Sequence, residues 1–147
     1  MQHYLVIDDD GSVYKVKPGP DSLADLQALV MGRIELVRVN VNPDIDGWVN
    51  EEGLITGNFV YNFLGSLIAG KDLVGPIVFT SCDDDGNTAP VCGQFSREIT
   101  EECEVFGNGE LLTVETCVAA MEAMRERSAE GAMMALLDKA FDESVSF

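Results

Sequence analysis

The feature that most constrains the fold is a series of short apolar runs, each ended by a turn rich in glycine, proline or aspartate. The first run precedes the Asp9-Asp10-Gly11 turn, and the alternation from 13 to 17 completes the pattern of a β-hairpin. Further strands are predicted at 33–41, 48–55 and 73–82. No run approaches the roughly 18 to 20 apolar residues that a membrane-spanning helix needs.

Two helical stripes alternate with these strands. The first begins at Asp21 or Ser22, is apolar on one face only, and ends at Gly32. The second covers 58–69 and is ended by the glycine that follows. Short strands interleaved with helices predict an α+β domain over residues 1–98, with a small, mostly antiparallel sheet.

The last third of the chain predicts a pair of helices, over 113–127 and 128–141. We expect residues 99–147 to form a helical extension that packs on the domain, so that the chain is a single compact unit. A stripe of apolar residues shares one face of the last helix: Met133, Leu136, Leu137 and Phe141. This stripe predicts either a contact with the sheet or a face for a partner, including a second copy in a homodimer.

The charge balance limits the classes of partner. The chain has 26 Asp and Glu against 9 Lys and Arg, a net charge of −17. Such a field repels phosphate backbones and anionic lipids, so we expect no direct binding of nucleic acid and no membrane binding. A partner with a basic surface is favoured, although the same acids also keep a protein soluble. The N-terminus lacks the features of a signal peptide, which predicts a cytoplasmic location.

The segment GSLIAGKD, residues 65–72, matches a phosphate-binding loop at all but its last position. A phosphate-binding loop follows a strand and opens a helix, whereas this segment lies at the end of a predicted helix. Asp72 also stands where a hydroxyl would contact magnesium. We therefore interpret the segment as a helix end and not as a nucleotide site.

Metal binding and catalysis find little support in the sequence. The Asp-rich runs that start at Asp8 and Asp83 lack the EF-hand spacing and are predicted to be hairpin turns. The four cysteines form no CxxC pair, and the only histidine, His3, lies near the N-terminus. Glu51 and Glu52 are adjacent, which in a strand directs them to opposite faces. We expect no catalytic residues, no metal, no cofactor, and a protein that is not an enzyme.

Residues 23 to about 100 carry an ordered set of motifs: Gly32, Ile34-Glu35, Asn50-Glu51-Glu52-Gly53, Asn62 and Val74-Gly75. In this order they resemble a small family of bacteriophages and actinobacteria known only as domain of unknown function 3846. The segment NFVYN departs from the family's proline-containing entry to the second helix, and the C-terminal helices are additional. The resemblance implies a phage or prophage accessory protein and carries no known activity or catalytic residues.

Asn50 and Asn62 support two interpretations. A polar side chain in a turn or at the start of a helix can bind backbone groups that the local structure leaves without partners. Alternatively, Asn50, Glu51 and Asn62 line a ligand pocket. The sequence thus leaves three functions: an acidic phage protein that binds and modulates a host protein involved in nucleic-acid handling or defence, a small-ligand sensor or sponge, and a structural or assembly subunit.

Overall fold

A computed structural model describes residues 2–40, 42–55, 59–91 and 93–145, and the described side chains exclude those of 128–132, 135 and 138–145. The chain divides into two compact units, Met1–Cys117 and Val118–Phe147. Residues 99–117, which the sequence assigned to the C-terminal extension, lie within the first unit. The packing of that extension on the domain stays a prediction.

The helices are α1 (Ser22–Val30), α2 (Phe63–Ala69), α3 (Gly93–Glu102) and α4 (Val114–Val145). The strands are β1 (Tyr4–Ile7), β2 (Val13–Val16), β3 (Ile34–Arg38), β4 (Ile45–Asn50), β5 (Ile77–Cys82), β6 (Thr88–Ala89) and β7 (Leu111–Leu112). A tight turn at Phe106–Gly109 precedes β7.

The described strands form one mixed sheet in the order β3-β4-β5-β1-β2-β7, with β6 paired to β5. Their pairings are antiparallel except for β2 with β7, where Lys15 lies opposite Leu111 and Val16 opposite Leu112. The predicted α+β class with a mostly antiparallel sheet is confirmed.

β1 lies inside the sheet, between β5 and β2, and all four of its residues are buried. Because side chains alternate between the faces of a strand, Leu5 and Ile7 join a core cluster on one face. Helices α2 and α3 cover that face and contribute Ala69 and Phe95. Helix α1 contacts β3, β4 and β5 and buries its own stripe of Leu26, Leu29 and Val30. Burial on both faces explains why the β1 sequence is a continuous apolar run.

Several element boundaries differ from those that the sequence predicts. The helix predicted to start at 58 begins at Phe63, after Asn62 as its N-cap. The strand predicted over 48–55 is displaced to Ile45–Asn50, because 51–55 form turns. Pairing with β3 and β5 sets the limits of β4. The apolar pattern of a single segment carries no information about that pairing.

The predicted C-terminal pair of helices is one continuous helix, α4. The predicted break at Ser128 is wrong because serine and glycine cost a helix interior only about 1 kcal/mol or less, and no proline interrupts the segment. Within the described part of the chain, no helix combines the length and the apolar character that a membrane crossing requires.

Candidate functional site

Asn62 is a fully buried amide that ties three backbone segments together. Its Oδ1 accepts from the Gly65 amide at 2.8 Å and so caps α2. Its Nδ2 donates to the carbonyl oxygens of Ile7 at 2.9 Å and Gly75 at 2.8 Å. The side chain therefore joins the end of β1, the start of α2 and the bend before β5.

Gly65 leaves the space that this arrangement needs. A Cβ on Gly65 would lie 2.8 Å from Asn62 Oδ1 and would collide with the side chain of Ile77. A glycine in a helix normally costs stability relative to alanine. At this position it allows α2 to approach the sheet and Asn62 closely.

We call a buried asparagine amide that binds the backbone of two or more segments an amide junction. Asn62 forms the first, and Asn50 forms the second, between β4 and the end of α1. Its Nδ2 donates to the carbonyl oxygens of Val30 at 3.0 Å and Met31 at 3.2 Å. Its Oδ1 accepts from the Glu52 amide at 2.8 Å. A Cβ on Gly32 would lie only 2.6 Å from Asn50 Nδ2. Because Gly32 has no side chain, it leaves room for the Asn50 amide.

The three residues predicted to bind a ligand have different environments. Asn50 is 8% exposed and Asn62 is 0% exposed, and their amide nitrogens already donate to backbone carbonyl oxygens. Glu51 is exposed, and its backbone amide donates to the Arg33 carbonyl oxygen at 2.8 Å. The hydrogen bonds match the backbone-binding interpretation of both asparagines. A ligand-binding role for the three residues stays a prediction, and it would require the amides to give up these bonds.

The sequence motifs that suggested phosphate or calcium lie where the sequence predicted them. GSLIAGKD begins inside α2 and continues beyond its C-cap, Gly70, which has a φ of 77°. The run at Asp8 joins β1 to β2, and the run at Asp83 joins β5 to β6. A hydrogen bond from the Asn87 backbone is the main cause that lowers the pKa of Asp83 below its ordinary value. The described residues contain no group of three or more side chains suited to hold a metal ion.

An exposed apolar surface follows α2. Phe63 and Leu67 are 72% and 69% exposed and are four positions apart, which places them on one side of the helix. With Tyr61 they line a cleft of about 360 Å³. The Tyr61 hydroxyl donates to Asp72 Oδ1 at 3.1 Å at the edge of this cleft. We call Tyr61, Phe63 and Leu67 the α2 face.

A second cleft, of about 570 Å³, brings together residues that are distant in the sequence. His3 is only 7% exposed, and its Nε2 lies 2.7 Å from Ser96 Oγ on α3. Lys15, Arg97 and Glu110 line the same cleft. No spacing pattern predicts this set, because its members come from β2, α3, the N-terminal segment and the turn before β7. We call it the His3 cleft.

The predicted partner-binding stripe on α4 is exposed where it is described. Met133, Leu136 and Leu137 are 60%, 67% and 57% exposed. The side chain of Phe141 lies outside the described residues. The role of this stripe stays a prediction.

Two buried ionisable side chains, Tyr14 and Cys117, are both affected by the charge of the buried Asp8. Burial, and then the charge of Asp8, raise the pKa of Cys117 to about 12. Burial also raises the pKa of Tyr14 to about 12, with Asp10 and Asp8 adding to the effect and Ser12 opposing it. Each of these two groups therefore keeps its proton in the folded chain at a pH where the unfolded chain releases it.

Stability is expected to fall as pH rises from 8 to 10. The thiol of Cys117 ionises near its ordinary pKa of 9.0 in the unfolded chain, whereas the folded thiol stays protonated to about 12. The unfolded state then binds fewer protons, which lowers the free energy of unfolding by about 1.4 kcal/mol at pH 10. Urea unfolding at pH 8 and pH 10 measures this loss. Cys117→Ala should reduce the loss of stability between pH 8 and pH 10, whereas Cys82→Ala, at an exposed position, should leave that loss unchanged. An equal loss in both variants would contradict the assignment of the pH effect to Cys117.

The fold and the two amide junctions define an α+β domain with a mixed sheet, in which buried asparagines fix one end each of α1 and α2. A family model described as Domain of unknown function (DUF3846) matches residues 1–104, and the chain belongs to that family. The match confirms the resemblance found from residue 23 onward and extends it to the β1–β2 hairpin. No curated protein and no solved structure matches the chain.

Proposed function

We propose that this chain is a non-enzymatic protein-binding module and that the α2 face is its contact surface. The observation that carries the proposal is the exposure of two large apolar side chains, Phe63 and Leu67, beside a cleft. Neighbouring large apolar residues at a surface are typical of protein contact sites. An aromatic side chain at the centre of such a site supplies much of the binding energy.

The charge of the chain defines the partner's chemistry. Lys71 and Asp72 both line the cleft of the α2 face, and Asp9 Oδ2 accepts from the Val60 amide beside Tyr61 at 3.0 Å. The whole chain carries a net charge of −17. A partner that presents an apolar side chain flanked by lysine or arginine complements both the α2 face and the acidic chain that carries it.

The family resemblance suggests where such a partner is found. It implies a phage or prophage protein, so we propose that the partner is a protein of the bacterial host and that the two meet in the host cytoplasm. Host proteins that handle nucleic acid, including defence proteins, have the required basic surfaces. Binding would then modulate the host protein by occupying the surface it uses for nucleic acid.

The test replaces the two central side chains. Phe63→Asp with Leu67→Asp should lower the affinity for the host partner by at least about 30-fold, because each side chain would otherwise be buried in the contact. Affinity capture from a bacterial host lysate, at low and at high salt, identifies candidates. Binding of the purified candidate to each variant is then measured by calorimetry.

Leu23→Asp with Leu36→Asp is the matched control, because it adds the same charge at exposed leucines on α1 and β3. Support requires a basic host protein that the native chain and this control bind, that the α2-face variant does not bind, and whose affinity falls with salt. A candidate that binds all three chains equally, or no basic host protein bound at low salt, contradicts the proposal.

Self-association is a second candidate function. It is favoured by the exposure of Met133, Leu136 and Leu137 on α4. Exposed apolar residues at helical spacing are suited to contact with a second helix. A homodimer or a larger assembly built on this stripe would make the chain a structural subunit.

A further inference from the structure

The His3 cleft has the size and the side chains of a small-molecule site. Its volume of about 570 Å³ lies within the roughly 300 to 1,000 Å³ typical of ligand pockets. Its lining combines charged groups, the buried His3–Ser96 pair and the apolar side chain of Leu111. A few polar groups converging in a concave site are what fixes the orientation of a small ligand.

Two positive side chains, Lys15 and Arg97, line this cleft. Neither Lys15 nor Arg97 forms an ion pair or a side-chain hydrogen bond with a described residue. Two glycines of the cleft lie beside these side chains. A Cβ on Gly93 would be 3.6 Å from Arg97 Nη1, and one on Gly109 would be 4.0 Å from Lys15 Nζ. Each cationic group therefore lies near a glycine that lines the cleft.

This arrangement is unusual for a chain of this composition. With 26 acidic residues against 9 Lys and Arg, a surface cation ordinarily has a carboxylate close to it. Here two cations line one cleft against the single carboxylate of Glu110, and this excess of positive charge favours an anionic ligand. The net charge of −17 still repels a polymer such as nucleic acid. The electrostatic energy of a small anion inside the cleft depends mainly on the charges within a Debye length of about 8 Å.

We propose that the His3 cleft binds a small organic phosphate. A phosphate monoester carries a charge of about −1.5 to −2 near pH 7, which matches two cations better than a single carboxylate does. Arg97 is suited to bind two phosphate oxygens at once, and Lys15 supplies a point charge. Glu110 accepts a hydrogen bond from a hydroxyl or amino group of the organic part.

Glu110 also explains why the ligand is not inorganic phosphate. Its carboxylate lines the same cleft and repels a bare anion, but it is satisfied by a ligand that carries a donor away from its phosphate. The buried hydrogen bond between His3 and Ser96, in the same cleft, joins α3 to the N-terminal segment. The site shares no residue with the α2 face, so the two proposals are independent.

The test uses three probes and calorimetry on the full chain. Adenosine 5′-monophosphate and ribose 5-phosphate represent the proposed class, and inorganic phosphate represents the anion alone. We expect at least one monoester to bind with a dissociation constant below about 1 mM and at least tenfold more tightly than inorganic phosphate. Lys15→Gln with Arg97→Gln should weaken that binding by at least about 30-fold.

Arg33→Gln with Arg38→Gln is the matched control. Both arginines are exposed outside the cleft, and the substitution changes the net charge by the same amount. This control should lower the affinity by less than threefold, and circular dichroism should show that both variants fold. Three results would each overturn the proposal: neither monoester bound at about 5 mM, inorganic phosphate bound as tightly as the monoesters, or equal losses in the two double variants.

Discussion

Asn62→Ala is expected to lower the free energy of unfolding by about 4 kcal/mol. The substitution leaves the buried carbonyl oxygens of Ile7 and Gly75 without the amide that binds them, and it removes the cap of α2. A lost cap costs about 1 kcal/mol, and each buried group left without its partner costs about 1 to 3 kcal/mol. For a chain of this length the melting temperature should fall by roughly 10 °C, measured by circular dichroism.

Asn62→Asp separates the two roles of this side chain. The carboxylate can still accept from the Gly65 amide, but its second oxygen would face two carbonyl oxygens where the amide donates. We expect it to destabilise the chain at least as much as alanine does, although the cap is kept. Gln27→Ala, at an exposed amide on α1, is the control. A fall of less than 2 °C for Asn62→Ala would contradict the structural role and favour ligand binding.

Asn50→Ala should have the second largest effect, about 2 to 3 kcal/mol. It removes the amide that binds the carbonyl oxygens of Val30 and Met31 at the end of α1. Asn50 is 8% exposed, so water can replace part of what is lost, and the effect should be smaller than that at Asn62. Urea unfolding of the variant and the native chain measures the difference.

A double-mutant cycle with Gly32 tests the contact itself. Gly32→Ala in the native chain places a methyl group 2.6 Å from Asn50 Nδ2 and should destabilise by displacing that amide. In the Asn50→Ala background the same change meets no amide, so it should cost at least about 1 kcal/mol less. Additive effects of the two substitutions would rule out the contact as the reason for glycine at this position.

The end of α1 illustrates what sequence reasoning could and could not supply. The apolar stripe predicts a one-sided helix that starts near Asp21, and the Asp21 side chain does accept from the Ala24 amide at the N-cap. The same reasoning ended the helix at Gly32, but the helix ends at Val30 and its C-cap is Met31, with a φ of 64°. Gly32 is required by the approach of Asn50, a contact between positions 18 apart that no local pattern contains.

The candidate sites also include residues that the sequence pointed to and residues that only the fold brings together. The asparagines were singled out by the family resemblance, and the capping role considered for them rests on the known local use of a polar residue in a turn or at a helix start. The His3 cleft was not, because Lys15, Arg97 and Glu110 become neighbours only when the sheet is assembled. The exposure of Phe63 and Leu67 could not be predicted from the sequence either, because an apolar stripe on a short helix normally predicts burial.

The pairing of β2 with β7 means that the matched family region and the folding unit have different limits. The family match ends at residue 104, whereas β7 lies at Leu111–Leu112 and the Lys17 amide donates to the Leu112 carbonyl oxygen at 2.7 Å. A fragment cut at residue 104 would therefore present β2 as an open strand edge. Such an edge is a template on which another chain can add a strand, so the segment after the family match also guards the sheet against aggregation.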